Sequence, residues 1–446
     1  MAMTFASRQR PAGPALGRTA TRAAFVATMA IVLGSVLPTS APPAAATDSD
    51  RPPLSFSGSF IQPWLTDAWK PAKWTTELGY LHAAGMSDLV LNWTADSKAE
   101  TTVYPTNLPG YTQSSARDSV GGALTAADGK NMNVYVGLAD NDDWWTKHAN
   151  NATWLNREAQ TAIAVAEELW ADYGSHASFS GWYLPLEVDN WNFATPTSWA
   201  NLSAYYSTIA NALHQLAPGL PVVISPFMNP SGGQTPAQWT QMWASVLSSA
   251  PIDVIALQDG AGDGTVSTAQ IPVWFAATLA GIQAGRPSTQ LWDDAETFNA
   301  DSGTKDLSCI VSDLTAAQPY VTRFWSFSYD HYQSPLQVDP SYDATYRDYL
   351  ATGTVESEAP STPAGITATA TGARAFSLTW TASTDNLGVV GYRIYRDGAL
   401  VQSLYGTSTT VKDTGLTAST PYVYTVRAFD AAGNLSTPAT VSVSTA

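Results

Sequence analysis

The chain has almost no cysteine: Cys309 is the only one among 446 residues. A single cysteine excludes an internal disulfide, so the fold must be held by hydrophobic cores, which a chain of this length can build. Cys309 lies in the apolar run 307–311, and we expect it to be a small buried side chain.

Charged residues are also scarce, at 13%, and basic residues are the scarcer sign, with 21 Lys and Arg against 37 Asp and Glu. The net charge of −16 argues against nucleic acid or an anionic membrane as a partner. Aromatic residues are abundant instead, with 17 Trp and 19 Tyr. Few charges and many rings suit a neutral, ring-shaped ligand such as a sugar, although aromatic side chains also fill ordinary cores.

Long hydrophobic runs are missing except near the N-terminus. There, four arginines precede an apolar run at 23–37, and a small-residue stretch follows at 42–46. This order predicts a secretory signal peptide over residues 1–46. The run is shorter than the roughly 20 residues that span a bilayer, although a retained anchor is the alternative. We therefore expect a secreted, extracellular protein that is monomeric and has no membrane association after cleavage.

Cofactor and metal motifs are absent from the sequence. No glycine-rich phosphate loop follows the first predicted strand, and no Ser-His-Asp order stands out. His82 and His148 lack the spacing of metal ligands. We expect no cofactor and no metal.

Residues 55–352 alternate short apolar runs with helical patterns, which predicts βα units and a parallel sheet. Eight strands in about 300 residues match an α/β fold of the (β/α)8 TIM-barrel class, which we expect to be the catalytic domain. A doubly wound open sheet is the alternative. The predicted strands are 56–61, 88–93, 133–138, 179–186, 221–225, 254–257, 290–292 and 322–328.

Beyond a linker predicted at 353–362, the pattern changes to short alternating strands with turn residues. Residues 363–446 carry Trp380, the run 391–395 and the alternating run 422–428, which predict a small all-β sandwich. This segment resembles a fibronectin type III domain of secreted bacterial polysaccharide-degrading enzymes. The resemblance implies a spacer or accessory role.

Two aromatic-rich runs in the barrel segment, 181–187 and 291–298, each carry a glutamate near the end of a predicted strand. Burying an unpaired carboxylate costs several kcal/mol or more, but the carboxyl ends of barrel strands open onto the active-site face. Two carboxylates at that face are what glycoside hydrolysis needs. Glu187 and Glu296 are therefore the predicted catalytic residues, with basic partners scarce around both.

The placement of these glutamates after strands four and seven resembles the large clan of retaining (β/α)8 glycosidases. That resemblance implies that Glu187 is the acid/base and Glu296 the nucleophile. Desolvation by neighbouring rings would raise the pKa of Glu187, whereas Glu296 would need hydrogen-bond donors to stay ionised. One position departs from the clan: Leu186 stands where an asparagine usually binds the sugar 2-hydroxyl, so Asn229 or Gln258 would have to take over that task.

A closer resemblance rests on motifs distributed over nearly the whole barrel. These motifs are similar to those of a bacterial family catalogued as a domain of unknown function and regarded as glycosidase-like, which has no settled substrate. They are Gln62-Pro-Trp64, Gly137-Leu138, Trp144-Trp145, Gly181-Trp-Tyr-x-Pro-x-Glu187, Ser225-Pro-Phe227, Leu257-Gln-Asp-Gly260 and Leu291-Trp-x-x-x-Glu-Thr-Phe298.

Several aromatic and polar residues at predicted strand ends could bind a poly- or oligosaccharide, with packing or turn formation as the alternative for each. Trp325 is the candidate for the floor of the sugar site. The predicted substrate-binding residues are Trp64, Asn92, Trp144, Tyr183, Asn229, Gln258, Asp259 and Trp325.

The sequence thus predicts a secreted glycoside hydrolase of retaining type. A non-catalytic carbohydrate-binding or cell-wall-associated protein on a barrel scaffold is the competing function, and Leu186 is the residue that favours it.

Overall fold

The structure is a computed structural model, and it describes residues 52–300 and 303–445. The predicted signal peptide lies outside the described residues. Within the described ranges, no helix combines the length and the apolar composition needed to cross a lipid bilayer.

Eight parallel strands form a closed barrel, in which each strand pairs with the next one along the chain and the last pairs with the first. The barrel class predicted from the sequence is confirmed. The strands are β1 (Gly58–Ile61), β2 (Asp88–Leu91), β3 (Asn133–Gly137), β4 (Phe179–Leu184), β5 (Val222–Ile224), β6 (Val254–Gln258), β7 (Gln290–Glu296) and β8 (Phe324–Phe327).

Helices cover the outside of the barrel. The sequence predicts four long helices, at 74–84, 154–173, 198–216 and 236–249. Three of them have a proline in their first turn. The helices are α1 (Pro63–Thr66), α2 (Pro71–Ala83), α3 (Ser119–Asp128), α4 (Trp144–Lys147), α5 (Ala152–Tyr173), α6 (Pro196–Leu216), α7 (Pro236–Leu247), α8 (Ile271–Gly285), α9 (Leu307–Ala317), α10 (Tyr329–Tyr332) and α11 (Ser341–Thr352).

Strand β7 is longer than its pattern predicts, because it continues through Asp293, Asp294 and Glu296. Acidic residues usually end a strand, so the sequence predicts an end at residue 292. In the structure these acidic residues are almost wholly buried. The extension carries Asp294 and Glu296 to the carboxyl end of the barrel.

Alternate residues of the strands fill the barrel interior, where the rings of Phe60, Tyr135, Trp292 and Trp325 pack edge to face. Trp325 is 0% exposed, and its Nε1 donates a hydrogen bond of 3.2 Å to Oδ2 of Asp88, the first residue of β2. It therefore lies towards the amino ends of the strands. The prediction that Trp325 forms the floor of a sugar site at the barrel mouth is wrong.

The C-terminal segment forms two antiparallel sheets, one of three strands and one of four. Its core includes Phe376, Leu378, Trp380, Tyr392 and Tyr424, so the predicted all-β sandwich is confirmed. The strands are β9 (Ala364–Gly372), β10 (Ala375–Thr381), β11 (Val389–Arg396), β12 (Ala399–Tyr405), β13 (Thr410–Thr414), β14 (Pro421–Asp430) and β15 (Ala439–Ser444). The strand orders of the two sheets are β9-β10-β13 and β12-β11-β14-β15.

Cys309 is exposed on α9, so the prediction that it is buried is wrong. The run 307–311 is helical, and a helix turns only some of its apolar positions inward. Here Leu307 and Ile310 are buried, while Cys309 faces away from the core.

Gly137 at the end of β3 lets two strands approach closely beside the mouth. A Cβ atom at this position would overlap the backbone carbonyl oxygens of Leu91 and Asn92. Backbone atoms of paired strands cannot move aside as a flexible side chain can, so the register of β2 and β3 requires glycine here.

We expect Gly137→Ala to lower the free energy of unfolding by about 1–3 kcal/mol, the usual cost of overpacking. Gly79→Ala is the matched control, because Gly79 lies in α2 and the nearest atom to an added Cβ is Nζ of Lys130, at 3.5 Å. It should be neutral or stabilising by up to ~1 kcal/mol. Denaturant unfolding measures both, and equal effects would contradict the close-approach explanation.

Candidate active site

Both glutamates lie at the carboxyl ends of barrel strands. Glu187 follows the end of β4 by three residues, and Glu296 is the last residue of β7. In barrel enzymes this end carries the active site. Glu187 is half-buried, whereas Glu296 is 2% exposed.

The carboxylate of Glu296 is held by backbone N–H groups. The N–H groups of Gly262 and Asp263 donate to its Oε2 at 2.8 and 3.0 Å. Gly262 allows this approach, since a Cβ atom there would lie 2.6 Å from Cβ of Glu296. Two backbone N–H donors on one oxygen fix the orientation of this carboxylate.

Glu187 is fixed at both its backbone and its side chain. Nε1 of Trp144 donates to its carbonyl oxygen at 2.6 Å, and Nε2 of Gln258 donates to its Oε1 at 3.0 Å. The same amide also donates to the carbonyl oxygen of Ser225 at 3.1 Å, which fixes its orientation.

One segment, residues 258–263, contacts both glutamates. Gln258 at its start binds Glu187, and the N–H groups of Gly262 and Asp263 at its end bind Glu296. Asp294, opposite Gln258 in the sheet register, feels the negative charge of both glutamates. The two carboxylates therefore converge on one side of the barrel mouth.

Beneath the glutamates lies a cluster of buried acids. Burial raises the pKa of Asp294 well above its ordinary value, although Oγ of Ser225 donates to its Oδ2 at 2.8 Å. Burial also raises the pKa of Asp259 to about 7, against the opposing charge of Lys305. Both groups are thus held largely protonated at mildly acidic pH, which limits the negative charge crowded around Glu296.

Asp259 supports the backbone of Glu296 rather than reaching into the mouth. Its Oδ1 accepts the N–H groups of Ala261 at 2.9 Å and Glu296 at 3.3 Å. Its Oδ2 is buried with no hydrogen-bond partner among the described residues. Neither oxygen is placed to bind a sugar hydroxyl.

The other predicted substrate-binding residues divide into three sets. Trp64, 49% exposed, and the half-buried Asn92 lie just past β1 and β2, at the mouth. Trp144 and Tyr183 are 1% and 2% exposed, so neither offers a ring face to a sugar. Trp144 instead donates a hydrogen bond to the backbone of Glu187, and Tyr183 fills the barrel interior. Oδ1 of Asn229 accepts the N–H of Ser231, so this residue forms a turn in its own loop.

A row of aromatic rings at the mouth is not evident from the sequence. Trp64 contacts His331 edge to face at 5.8 Å, His331 stacks on Tyr332 at 4.3 Å, and Tyr332 stacks on Phe298 at 5.3 Å. We call Trp64, His331, Tyr332 and Phe298 the aromatic wall. Its inner end lies near Glu296, whose charge, after burial and Asp330, helps raise the pKa of Tyr332 to about 12.

Sequence reasoning also missed Lys305, which is 6% exposed. Its Nζ forms an ion pair of 2.6 Å with Asp313 and donates to the carbonyl oxygen of Glu296 at 3.4 Å. Nothing local marks this lysine, since it lies in a loop nine residues past the glutamate. The N–H donors at Gly262 and Asp263 had a signal, the glycine-rich run 259–264, which predicts a turn but also exposes backbone N–H groups.

Across the parts of the chain that the structure describes, no group of three or more His, Cys, Asp or Glu side chains is arranged to hold a metal ion. The acids near Glu296 instead contact backbone N–H groups, Ser225 and Lys305.

Two family models match the chain. The model described as Domain of unknown function (DUF4434) matches residues 56–339, which is more than half of the chain. The fibronectin type III domain model matches residues 360–444, in agreement with the two-sheet sandwich.

Relatives with established names match only part of the chain. Chitinase Chi52 of Paenibacillus xylanexedens is 52% identical over 95 residues, 21% of this chain and 18% of the relative. Exoglucanase B of Cellulomonas fimi is 28% identical over 283 residues, 58% of this chain and 24% of the relative. The chain therefore spans less than a quarter of the length of either protein.

Among solved structures, a candidate alpha-L-fucosidase from Bacteroides thetaiotaomicron VPI-5482 superposes with a TM-score of 0.58 at 20% identity. The alignment covers 67% of this chain and 96% of the other. This likeness shows that the two proteins share a fold.

The raised pKa of Asp259 predicts a pH dependence of stability. The folded protein holds this proton up to about pH 7, while the ordinary pKa is 3.8, so folding takes up a proton between these values. The free energy of unfolding should therefore fall as the pH rises from about 4 to 7. Asp259→Asn keeps the shape, cannot ionise, and should make this fall smaller.

Denaturant unfolding at several pH values between 4 and 7 measures the slope. Asp142→Asn, which alters an exposed carboxylate on the loop after β3, is the control and should keep the wild-type slope. An Asp259→Asn slope equal to that of the wild type would refute the assignment.

Proposed function

We propose that this protein, which belongs to the family described as Domain of unknown function (DUF4434), is a glycoside hydrolase that uses Glu187 and Glu296. The observation that carries the proposal is the single segment, residues 258–263, that binds both carboxylates at the carboxyl end of the barrel. Two carboxylates facing one cleft are the minimum machinery for cleaving a glycosidic bond.

The surroundings of the two carboxylates support different roles. Glu296, whose Oε2 is fixed by two N–H donors, is suited to attack the anomeric carbon. Glu187 is half-buried, so it is more open to solvent than Glu296, and the Gln258 amide orients its Oε1. This residue is the one suited to donate a proton to the leaving oxygen. After the leaving group departs, Glu187 as a carboxylate would take a proton from water, which then hydrolyses the glycosyl-enzyme. This sequence of steps retains the anomeric configuration.

A neutral polysaccharide or oligosaccharide is the substrate class that the mouth supports best. Lys98 and Lys147 are both ion-paired with Asp143, and Lys305 is paired with Asp313. Lys305 is thus neutralised by Asp313, while Lys98 and Lys147 share Asp143, and Asp142 and Asp96 add negative charge near Lys98. An anionic sugar would therefore gain little from these lysines and would meet the acids of the site. The named relatives act on glucan and chitin by their names, so polymers of glucose and N-acetylglucosamine lead the panel to be tested.

Export of the protein is part of the proposal. It rests on the basic, apolar and small-residue order of residues 1–46. A polymeric substrate outside the cell is consistent with that order and with the fibronectin type III domain.

Non-catalytic sugar binding is the competing function, and Leu186 is the observation that favours it. This side chain is 3% exposed and packs in the outer core, so it cannot replace the asparagine of the retaining clan. Asn229 is engaged in its own loop. Both N–H groups of the Gln258 amide are used, by Oε1 of Glu187 and by the carbonyl oxygen of Ser225, so a contact with the sugar 2-hydroxyl would have to be made by its Oε1.

We expect Glu187→Gln and Glu296→Gln each to reduce hydrolysis by at least ~100-fold, because each removes a group that transfers a proton or attacks carbon. Sugar binding should change little, since the amide keeps the shape. Release of reducing ends from glucan and chitin oligosaccharides, with α-L-fucosides alongside, measures activity, and calorimetry measures binding.

Glu167→Gln is the matched control, because Glu167 is exposed on α5, away from the barrel mouth. Full activity in either site variant would refute the catalytic assignment. Binding of the oligosaccharides without any hydrolysis by the wild type would support the competing function. Product stereochemistry, followed by NMR, tests retention separately.

The exposed end of the aromatic wall predicts a binding contribution from Trp64. Trp64→Ala should raise KM by about two- to tenfold, since a stacked ring contributes about 0.5–1.5 kcal/mol beyond its buried area. The kcat should change little, because Trp64 is at the outer end of the wall. Trp64→Phe should restore part of the affinity, and an unchanged KM in Trp64→Ala would exclude Trp64 from the sugar site.

A further inference from the structure

The fibronectin type III domain contacts the barrel at the start of α9. Nη2 of Arg393, on β11 of the sandwich, donates to Oδ2 of Asp306 at 3.0 Å. The N–H groups of Leu307 and Ser308 donate to the carbonyl oxygens of Ala431 and Ala432 at 3.0 and 3.2 Å. The first turn of α9, whose N–H groups lack partners within the helix, is therefore satisfied by the other domain.

Apolar packing closes this contact against water. Tyr342 of α11 forms a buried cluster with Val390, Phe429 and Ala431 of the sandwich, and the guanidinium of Arg393 lies over the ring of Phe429 at 5.0 Å. A charge pair that is flanked by packed rings is less screened than one on an open surface. The contact between the barrel domain and the sandwich therefore includes buried apolar side chains as well as an ion pair.

Two glycines allow a side chain of the other domain to lie against the backbone at the same place. Gly303 lies so close to the ring of Tyr405 on β12 that no side chain would fit. Gly433 has a φ of 102°, and a Cβ there would lie 2.9 Å from Cβ of Asp306. The backbone at Gly303 therefore packs on the ring of Tyr405, and the backbone at Gly433 packs on the side chain of Asp306.

The same stretch of chain reaches the active site one residue earlier. The N–H of Lys305 donates to the carbonyl oxygen of Thr297 at 3.0 Å, and its Nζ donates to that of Glu296 at 3.4 Å. Lys305 is also paired with Asp313 of α9 at 2.6 Å. The residue that touches the sandwich, Asp306, is the immediate neighbour of the residue that touches Glu296.

We propose that the fibronectin type III domain is a brace for the active site: by fixing Asp306 and the first turn of α9, it holds Lys305 and through it the backbone of Glu296. This role differs from the spacer role that its resemblance implies. Lys305 is then a positioning residue, since it contacts the carbonyl of Glu296 and not its carboxylate. The catalytic consequence rests on the proposed hydrolase function, whereas the mechanical coupling does not.

A charge-exchange experiment on the full-length protein tests the brace. Asp306→Arg and Arg393→Asp each place like charges together and should speed amide hydrogen exchange at residues 303–308 and at Glu296. They should also lower kcat about ten- to a hundredfold with KM little changed, the cost of a misplaced reacting group. The double variant restores a pair of opposite charges. It should therefore recover most of the lost protection from exchange and most of the lost kcat.

Arg396→Ala is the matched control, because Arg396 pairs with Asp413 at 2.7 Å inside the sandwich. It should leave the exchange at residues 303–308 and the kcat at wild-type values. Tyr405→Ala, which removes the ring over Gly303, is a second and milder way to loosen the contact, and serves if a charge reversal prevents folding. It should speed exchange in the same residues.

Wild-type exchange rates at residues 303–308 and Glu296 in all the interface variants would overturn the brace. Faster exchange with unchanged kcat would overturn its catalytic part. If the wild type hydrolyses no sugar, the proposed function fails, and the exchange measurements still decide whether the domain holds the loop.

Discussion

The structure depends on how acidic side chains are accommodated at one end of a barrel that is otherwise filled with rings. Residues 258–263 solve this by contacting both glutamates, with an amide for Glu187 and two backbone N–H groups for Glu296. Burial raises the pKa of Asp259 and Asp294, so both carboxyl groups keep their protons to a higher pH. Less negative charge therefore collects around the two glutamates. Without these donors and protons, so many carboxyl groups could not share one dry region.

The aromatic residues serve two separate purposes. In the lower barrel, Trp292 and Trp325 pack with Tyr135 and Phe60 and close the interior, so a ligand can reach the glutamates only from the carboxyl ends of the strands. At the mouth, the aromatic wall runs from the exposed Trp64 towards Glu296. The abundance of Trp and Tyr in the composition therefore reflects both a core and a surface suited to sugar rings.

The two domains meet close to the site. Asp306 binds the sandwich, and its neighbour Lys305 binds the backbone of Glu296. The segment that leaves β7 is thus held from the barrel and from the C-terminal domain. A domain that resembles the spacers of polysaccharide-degrading enzymes lies here against the loop that supports the proposed nucleophile.

Local patterns determined much of this protein: the eight strands, the change to an all-β sandwich, and the two glutamates near strand ends can all be read from alternation and turn residues. Tertiary structure decided which faces those residues use. Trp325 and Trp144 lie near predicted strand ends in the sequence. In the closed barrel, however, Trp325 is buried in the core and bonds Asp88, and Trp144 bonds the backbone carbonyl of Glu187. The backbones of Asp293 and Asp294 pair with β6 and β8, which extends β7, and Lys305 reaches Glu296 through a loop with no local signal. The physical reason is that register and closure are set by contacts between distant segments, which no short window of sequence contains.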